Sequence, residues 1–449
     1  MNQSTPPNFP PPASAADFEI ALRRGHGRAV LWLRQGDVAE DRELILRACR
    51  ENWAFNSLTD SSRDLLMVDV VLATSDPEFY VSNLLQVYSD DCKAGNYDQL
   101  YELIGHFAAA GSAEAREAVY EAFLKLQTDY VSHYAEVLLD IDGLDGYRFA
   151  IQTWARESLS KADDFSEIDL LDKAEERFGA DAVAELIEEI SQSDPSILPY
   201  HASVKARHTA WRDRLGTRPP RPEPSCEELR QMIAAETRSH AQSLWANRGS
   251  RMDEQTARWM ASDVLTETDP ALVSRLLWLF GKYPFPGDTE RLYPMAHGSD
   301  ERLAAAAAFA LAPIKDPRVR TLGLSIMQGP RDPWDGVRLL VHNFQDGDCA
   351  AMIQLVSRLT DAEELEDLGR HIRSVFAVHP APEFSDVLTL LYEKGMCASC
   401  RSSVVECLAK LGPLTEYIRL EAPYDASGIT RRFMAKMGVS TAPRALKKI

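Results

Sequence analysis

The apolar positions of this chain recur again and again at helical spacing, in short stretches separated by turn residues. Between Pro270 and Phe280 they are Leu272, Val273, Leu276, Leu277 and Phe280, which form one face of a helix. Asp269 stands where its side chain can accept from the free N–H groups of the first turn, and Pro270 fits that turn because its missing N–H would be unpaired there. Gly281 offers a stop. The unit then repeats. Asp300 precedes Leu303, the run Ala304 to Ala308, Phe309 and Leu311; Asp316-Pro317 precedes Val319, Leu322 and Ile326; Asp332-Pro333 precedes Val337, Leu340 and Val341. Starts near 269, 300 and 332 lie about 31 residues apart with Asp316 between two of them, a period that fits two short helices. The alanine run combines high helix propensity with side chains small enough to let neighbouring helices approach.

The same rhythm predicts helices over 348–359, 362–377, 382–394 and 399–411. In the N-terminal half it predicts helices over 16–34, 39–53, 61–74, 77–89, 96–110, 112–127, 129–139, 147–160, 166–178 and 181–192. Asp76-Pro77 and Asp194-Pro195 repeat the cap signal, giving five Asp-Pro pairs where composition alone predicts roughly two. No stretch alternates with period two between hairpin turns, so no sheet is expected. The fold class predicted is all-α, an α-solenoid or superhelix of antiparallel helix pairs.

Proline marks the boundaries. Residues 1–15 read as a Pro-rich disordered tail, 16–216 as an N-terminal helical segment, and 217–225 as a Pro-rich linker that cannot be helical. Residues 226–425 then read as C-terminal helical repeats and 426–449 as a basic tail. That tail holds Arg431, Arg432, Lys436, Arg444, Lys447 and Lys448 and no acid after Asp425. It can stay solvated, fold back on an acidic body, or contact nucleic acid or an acidic protein surface.

The stretch from Asp269 to about Met327 resembles HEAT repeats, in particular the short lyase-type HEAT-like variety. The resemblance is carried by Asp300-Glu301-Arg302-Leu303-Ala304-Ala305-Ala306 and by Asp316-Pro317-Arg318-Val319-Arg320-Thr321-Leu322. It implies a binding scaffold. Di-iron hydroxylases of this architecture carry His-Glu pairs, and none of the ten histidines here is followed by Glu. DNA glycosylases of this architecture present a basic groove, whereas the formal net charge here is −19. Bilin lyases and bilin-handling chaperones with such repeats offer no short motif to test.

Composition narrows the class. The hydrophobic fraction is 45% and the charged fraction 26%, enough apolar surface for a folded chain. The negative charge disfavours nucleic acid and favours neutral or basic partners. No apolar run reaches the roughly 20 residues of a membrane span, and the first fifteen residues lack a signal-peptide pattern. Seven scattered cysteines suggest reduced thiols, so a cytoplasmic location is expected. Charge is uneven along the chain: Lys161 to Ile190 holds eleven acids against three bases, whereas Lys205 to Arg221 holds Lys205, Arg207, Arg212, Arg214, Arg218 and Arg221 against Asp213.

Candidate chemistry is sparse. Cys397-Ala398-Ser399-Cys400, with Cys407 beyond, reads as buried thiols, part of a metal site or a redox pair; zinc would need four ligands, and no second CxxC exists. Gly25-His26-Gly27 lacks the strand and third glycine of a dinucleotide loop and reads as a helix break. Asp140-Ile141-Asp142-Gly143-Leu144-Asp145-Gly146 departs from the calcium-loop order at Leu144 and Asp145, and reads as an acidic turn between helices. There is no Walker loop, GxSxG elbow or HExxH. Trp278 and Trp334, with Arg318 and Arg320 of the repeat region, are the candidate partner contacts, since aromatic side chains and arginine dominate binding hot spots. The function expected is a non-catalytic, cofactor-free protein-binding scaffold that uses a concave helical surface. The alternative is an enzyme or chaperone handling a small, bilin-like ligand in that groove.

Overall fold

The computed structural model describes residues 10–56, 60–91, 98–125, 131–157, 166–216, 224–238, 241–329 and 331–439. Every regular element among them is helical, and no strand occurs among the described residues. None of the described helices is long and apolar enough to cross a membrane. The chain divides into two compact units: Met1–Pro220, Cys397–Ser399 and Thr415–Ile449 form the first, Arg221–Met396 and Cys400–Leu414 the second.

The first unit opens with α1 (Ala15–Arg24), α2 (Arg28–Gln35), α3 (Arg42–Arg50), α4 (Asp64–Ala73), α5 (Pro77–Asp91) and α6 (Asp98–Ala109). It continues with α7 (Ala113–Lys125), α8 (Val131–Asp142), α9 (Leu144–Glu157), α10 (Ser166–Phe178), α11 (Ala180–Ser193) and α12 (Ile197–Gly216). Consecutive helices α6 and α7, α8 and α9, and α10 and α11 pack as pairs. Alternate helices then pack in series. The even row runs α2 on α4, α4 on α6, α6 on α8, α8 on α10 and α10 on α12; the odd row runs α1 on α3, α3 on α5 and α5 on α7, with α9 on α11. Buried Phe18, Ile45, Met67, Leu103, Phe107 and Leu138 belong to one core between these helices, each contributing about 1.5–3 kcal/mol of apolar burial.

The second unit holds α13 (Cys226–Ala234), α14 (Gln242–Gly249), α15 (Glu254–Thr266), α16 (Pro270–Leu277), α17 (Leu292–Ala296) and α18 (Glu301–Leu311). After these come α19 (Pro317–Gln328), α20 (Pro333–Leu339), α21 (Asp348–Arg358), α22 (Ala362–Val378), α23 (Phe384–Lys394) and most of α24 (Ala398–Leu411). Alternate packing recurs in α16–α18–α20–α22 and in α19–α21–α23. The aspartate signal works as expected at three starts: Asp269 accepts from Ala271 N at 3.0 Å, Asp300 from Arg302 N at 3.0 Å and Asp316 from Arg318 N at 2.8 Å, whereas Asp332 stands at the start of α20 with no side-chain cap bond. Each such cap is worth about 1 kcal/mol. Ala304, Ala306, Ala307, Ala308 and Ala310 are buried where α18 packs on α16, α17 and α20. Gly281 does more than stop a helix. The chain runs on through a 3₁₀ turn, Trp278–Gly281, and a Cβ at Gly281 would lie 1.7 Å from the Phe309 ring.

Several elements lie outside the sequence expectation. α12 buries Ile197, His201, Val204 and His208, so two of the four positions on its inward stripe are histidines and its apolar pattern is thin. Its basic side chains face the acidic run on α10: Lys205 pairs with Glu175 at 3.7 Å, Arg212 with Asp172 at 3.3 Å, and Arg207 with Glu167. The uneven charge along the chain is thereby matched inside one unit. Of the expected Pro-rich linker only Pro224 and Ser225 are described; Arg218 and Arg221 lie outside the described residues.

Among the described residues beyond 426, where a basic tail is expected, 428–436 are helical, while Arg444, Lys447 and Lys448 lie outside the described residues. α25 (Glu416–Glu421), a 3₁₀ turn (Ala422–Tyr424) and α26 (Gly428–Lys436) belong to the first unit. Arg431 is drawn in by Asp69, at 2.8 Å. The seat for this segment is the Gly25-His26-Gly27 break between α1 and α2. Gly25 caps α1 at φ +80°, a left-handed conformation glycine adopts without strain, and its carbonyl accepts from Ala426 N at 2.9 Å. A Cβ at Gly27 would lie 2.0 Å from the Glu421 carbonyl oxygen. Arg28 forms a fork with Glu421, Nε to Oε2 at 2.8 Å and Nη2 to Oε1 at 2.6 Å, with side chains only 5% and 2% exposed. Arg34 donates to the Tyr424 hydroxyl at 2.6 Å and lies 4.4 Å over its ring.

Candidate functional site

The even row of the first unit carries a cavity of about 320 Å³. Three helices and the C-terminal segment build it. From α6 come Glu102, Gly105, His106 and Ala109, spaced by three, one and three residues and so on one face. From α8 come Glu136, Val137 and Asp140, again one face. Ser61, Ser62, Asp64 and Leu65 enter at the start of α4, and Ala426 and Gly428 complete the wall. The two long helices approach closely here because α6 has glycine at the contact: a Cβ at Gly105 would fall 2.3 Å from Val137 Cγ1.

Asp64 is the hub. His106 Nε2 lies 2.9 Å from Asp64 Oδ2, and Ser62 Oγ reaches both Asp64 and, at 3.0 Å, Glu102 Oε2. The Asp64 side chain is 9% exposed and that of His106 36%. Burial alone would raise the Asp64 carboxyl, but hydrogen bonds from His106 and Ser62 and the imidazolium charge hold it below its ordinary value of 3.8. Burial likewise works against a charged His106, yet the Asp64 hydrogen bond and the charges of Asp64, Glu102 and Asp140 raise it above its ordinary 6.5. The lining thus carries four carboxylates against one imidazole. At the rim Asp140 pairs with Arg177 at 2.6 Å, and Glu136 pairs with Lys173.

This arrangement is unlike a hydrolytic triad. There the histidine stands between the nucleophile and the carboxylate, so that it can take the hydroxyl proton. Here Ser62 and His106 both turn to Asp64. What the cavity offers is an acidic, partly apolar recess that favours a cation.

The residues singled out in the sequence fall elsewhere. Trp278 is half-buried against the second unit's core, and Trp334 is half-buried in the first turn of α20. Arg318 is exposed, but its guanidinium bonds both oxygens of Glu290 at 2.8 Å, meets Asp316 at 2.6 Å and lies 4.3 Å over Tyr293. Arg320 grips the buried Asp348 at 2.5 and 3.1 Å. Both arginines therefore have carboxylate partners within the unit.

Cys397 is buried just before α24, Cys400 half-buried in its first turn and Cys407 buried two turns on. Burial raises the Cys407 thiol above its ordinary value. Within the second unit, Cys400 Sγ and a Glu366 carboxylate oxygen lie within 4.8 Å. In the acidic turn Asp140 meets Arg177 through one carboxylate oxygen and Asp142 pairs with Arg116 at 2.9 Å, while Gly143 makes the turn at φ +60°. The cavity itself escaped sequence reading, because its parts lie near positions 64, 102, 140 and 426. The one local trace is Glu102 and His106 one turn apart on a helix face. No family model matches the chain, and neither a curated protein nor a solved structure matches it.

Proposed function

We propose that the chain is a non-catalytic scaffold that holds a protein partner on a surface of stacked helix pairs, an α-solenoid of the HEAT-like kind. The observation that carries this reading is the serial packing of alternate helices in both units. Each helix pair contacts chiefly the next, and such arrays offer long, continuous faces for partners. The even row of the first unit is one such face, and the acidic cavity lies on it. The arrangement of Ser62, Asp64 and His106 gives no support to nucleophilic catalysis.

The ligand-handling alternative is less well supported. Pockets for drug-sized ligands run from roughly 300 to 1,000 Å³, and this cavity stands at the small end. Its four carboxylates would also repel a tetrapyrrole that carries acid groups. The test is affinity purification of the tagged chain from its native host at low salt, with mass spectrometry and an absorbance spectrum of the eluate. A stoichiometric protein partner, reconstituted from purified components, is the expected result. A coloured or metal-bearing eluate with no protein partner would overturn the scaffold reading.

A further inference from the structure

We propose that the α4–α6–α8 cavity receives an arginine side chain from a partner polypeptide, with Glu102 and Asp140 as carboxylate acceptors and Leu65 and Val137 as the wall for its aliphatic stem. The proposal rests on the scaffold reading and names the chemistry of the contact. Three features of the cavity converge on it. Its volume of about 320 Å³ has room for one long side chain. Its lining joins apolar surface to carboxylates, which is the pattern complementary to a methylene stem with a charged head. Carboxylates from two different helices suit a planar fork of donors better than a point charge. The net charge of −19 draws basic segments to the same protein.

His106 gives the contact a pH dependence. The groups facing it are Asp64 from α4, Glu102 on its own helix, and Glu136 and Asp140 from α8, the last two held at the rim by Lys173 and Arg177 of α10. A protonated ring adds a positive charge to the lining of the same cavity and opposes a second cation there. Binding therefore strengthens as pH rises and the ring loses its proton, since arginine stays charged throughout.

The experiment uses the full chain and calorimetric titration with capped Gly-Arg-Gly, its citrulline counterpart and agmatine, at about pH 6 and about pH 8.5. The arginine peptide is expected to bind about tenfold or more tightly than the citrulline peptide, and more tightly at the higher pH. Glu102→Gln is expected to weaken it about tenfold. Ala109→Trp, which fills the mouth from an exposed position and leaves every charge in place, is expected to abolish it. Equal binding of arginine and citrulline peptides, or wild-type affinity in both variants, overturns the proposal. Binding of agmatine without the peptide overturns it too, and assigns the cavity to a free organic cation. A protein partner captured equally by wild type and Ala109→Trp would leave the scaffold reading standing and remove the arginine from it.

Discussion

At the scale of single residues, small side chains and paired charges decide the geometry. Gly27 faces the Glu421 carbonyl with no room for a methyl group. Gly27→Ala should therefore force the C-terminal segment away and lower the stability of the first unit by about 1–3 kcal/mol, read as a lower urea midpoint. A midpoint unchanged from wild type would mean that the contact is not tight in solution. The Asp64–His106 pair makes a prediction in pH. His106 is raised above 6.5, so its contribution is fully present below 6.5 and is lost as pH rises through its folded value. Asp64 is lowered below 3.8, so its contribution is present above 3.8 and is lost as pH falls through its folded value. The thermal midpoint of wild type relative to His106→Gln should accordingly shrink between about pH 6 and pH 9. A difference that stays constant across that range would show that the ring does not titrate against Asp64.

At the scale of elements, caps and buried ion pairs set the boundaries. Asp300→Ala should cost about 1 kcal/mol through the loss of two backbone acceptor contacts at the start of α18. Hydrogen exchange across Glu301–Leu311 would measure it. The Arg28–Glu421 fork is a larger matter, because both side chains are nearly out of water. Glu421→Ala leaves a buried guanidinium short of its carboxylate and should cost about 3–5 kcal/mol, whereas Arg28→Met with Glu421→Leu should recover most of that loss. Faster proteolysis of the segment after Thr415 in the single variant, reversed in the double, is the expected pattern. Helices with a strong apolar stripe are legible in the sequence: the expected 166–178 coincides with α10, and the expected 362–377, which Asp361 caps, falls one residue short of α22. α12 was not, since a histidine on an inward stripe looks polar in a string of letters. α26 was hidden for a related reason. Its arginines suggest solvent until Asp69 is brought beside Arg431 by contacts more than three hundred residues apart.

At the scale of the molecule, alternate helices pack in series within each unit, so the residues that share a face recur along the chain. The cavity follows from that stacking, since its walls are the same face of successive even helices. Such a site is invisible to any motif search, because each helix contributes only one or two of its chemical groups. The partner reading predicts an interaction that weakens steeply with salt, given the acidic surface and a basic contact. An affinity unchanged between about 0.05 and 0.5 M salt would point to an apolar interface instead.

The seat at Gly25–Gly27 also has a consequence in time. Arg28 and Glu421 are 393 positions apart, so a ribosome adding 5–20 residues per second needs roughly 20–80 s to travel from one to the other. For that interval the nascent first unit carries an unfilled seat at Gly25–Gly27 and an Arg28 that has not yet met Glu421, while the whole of Arg221–Met396 is being synthesised. Its folding is therefore completed only after translation has passed the second unit.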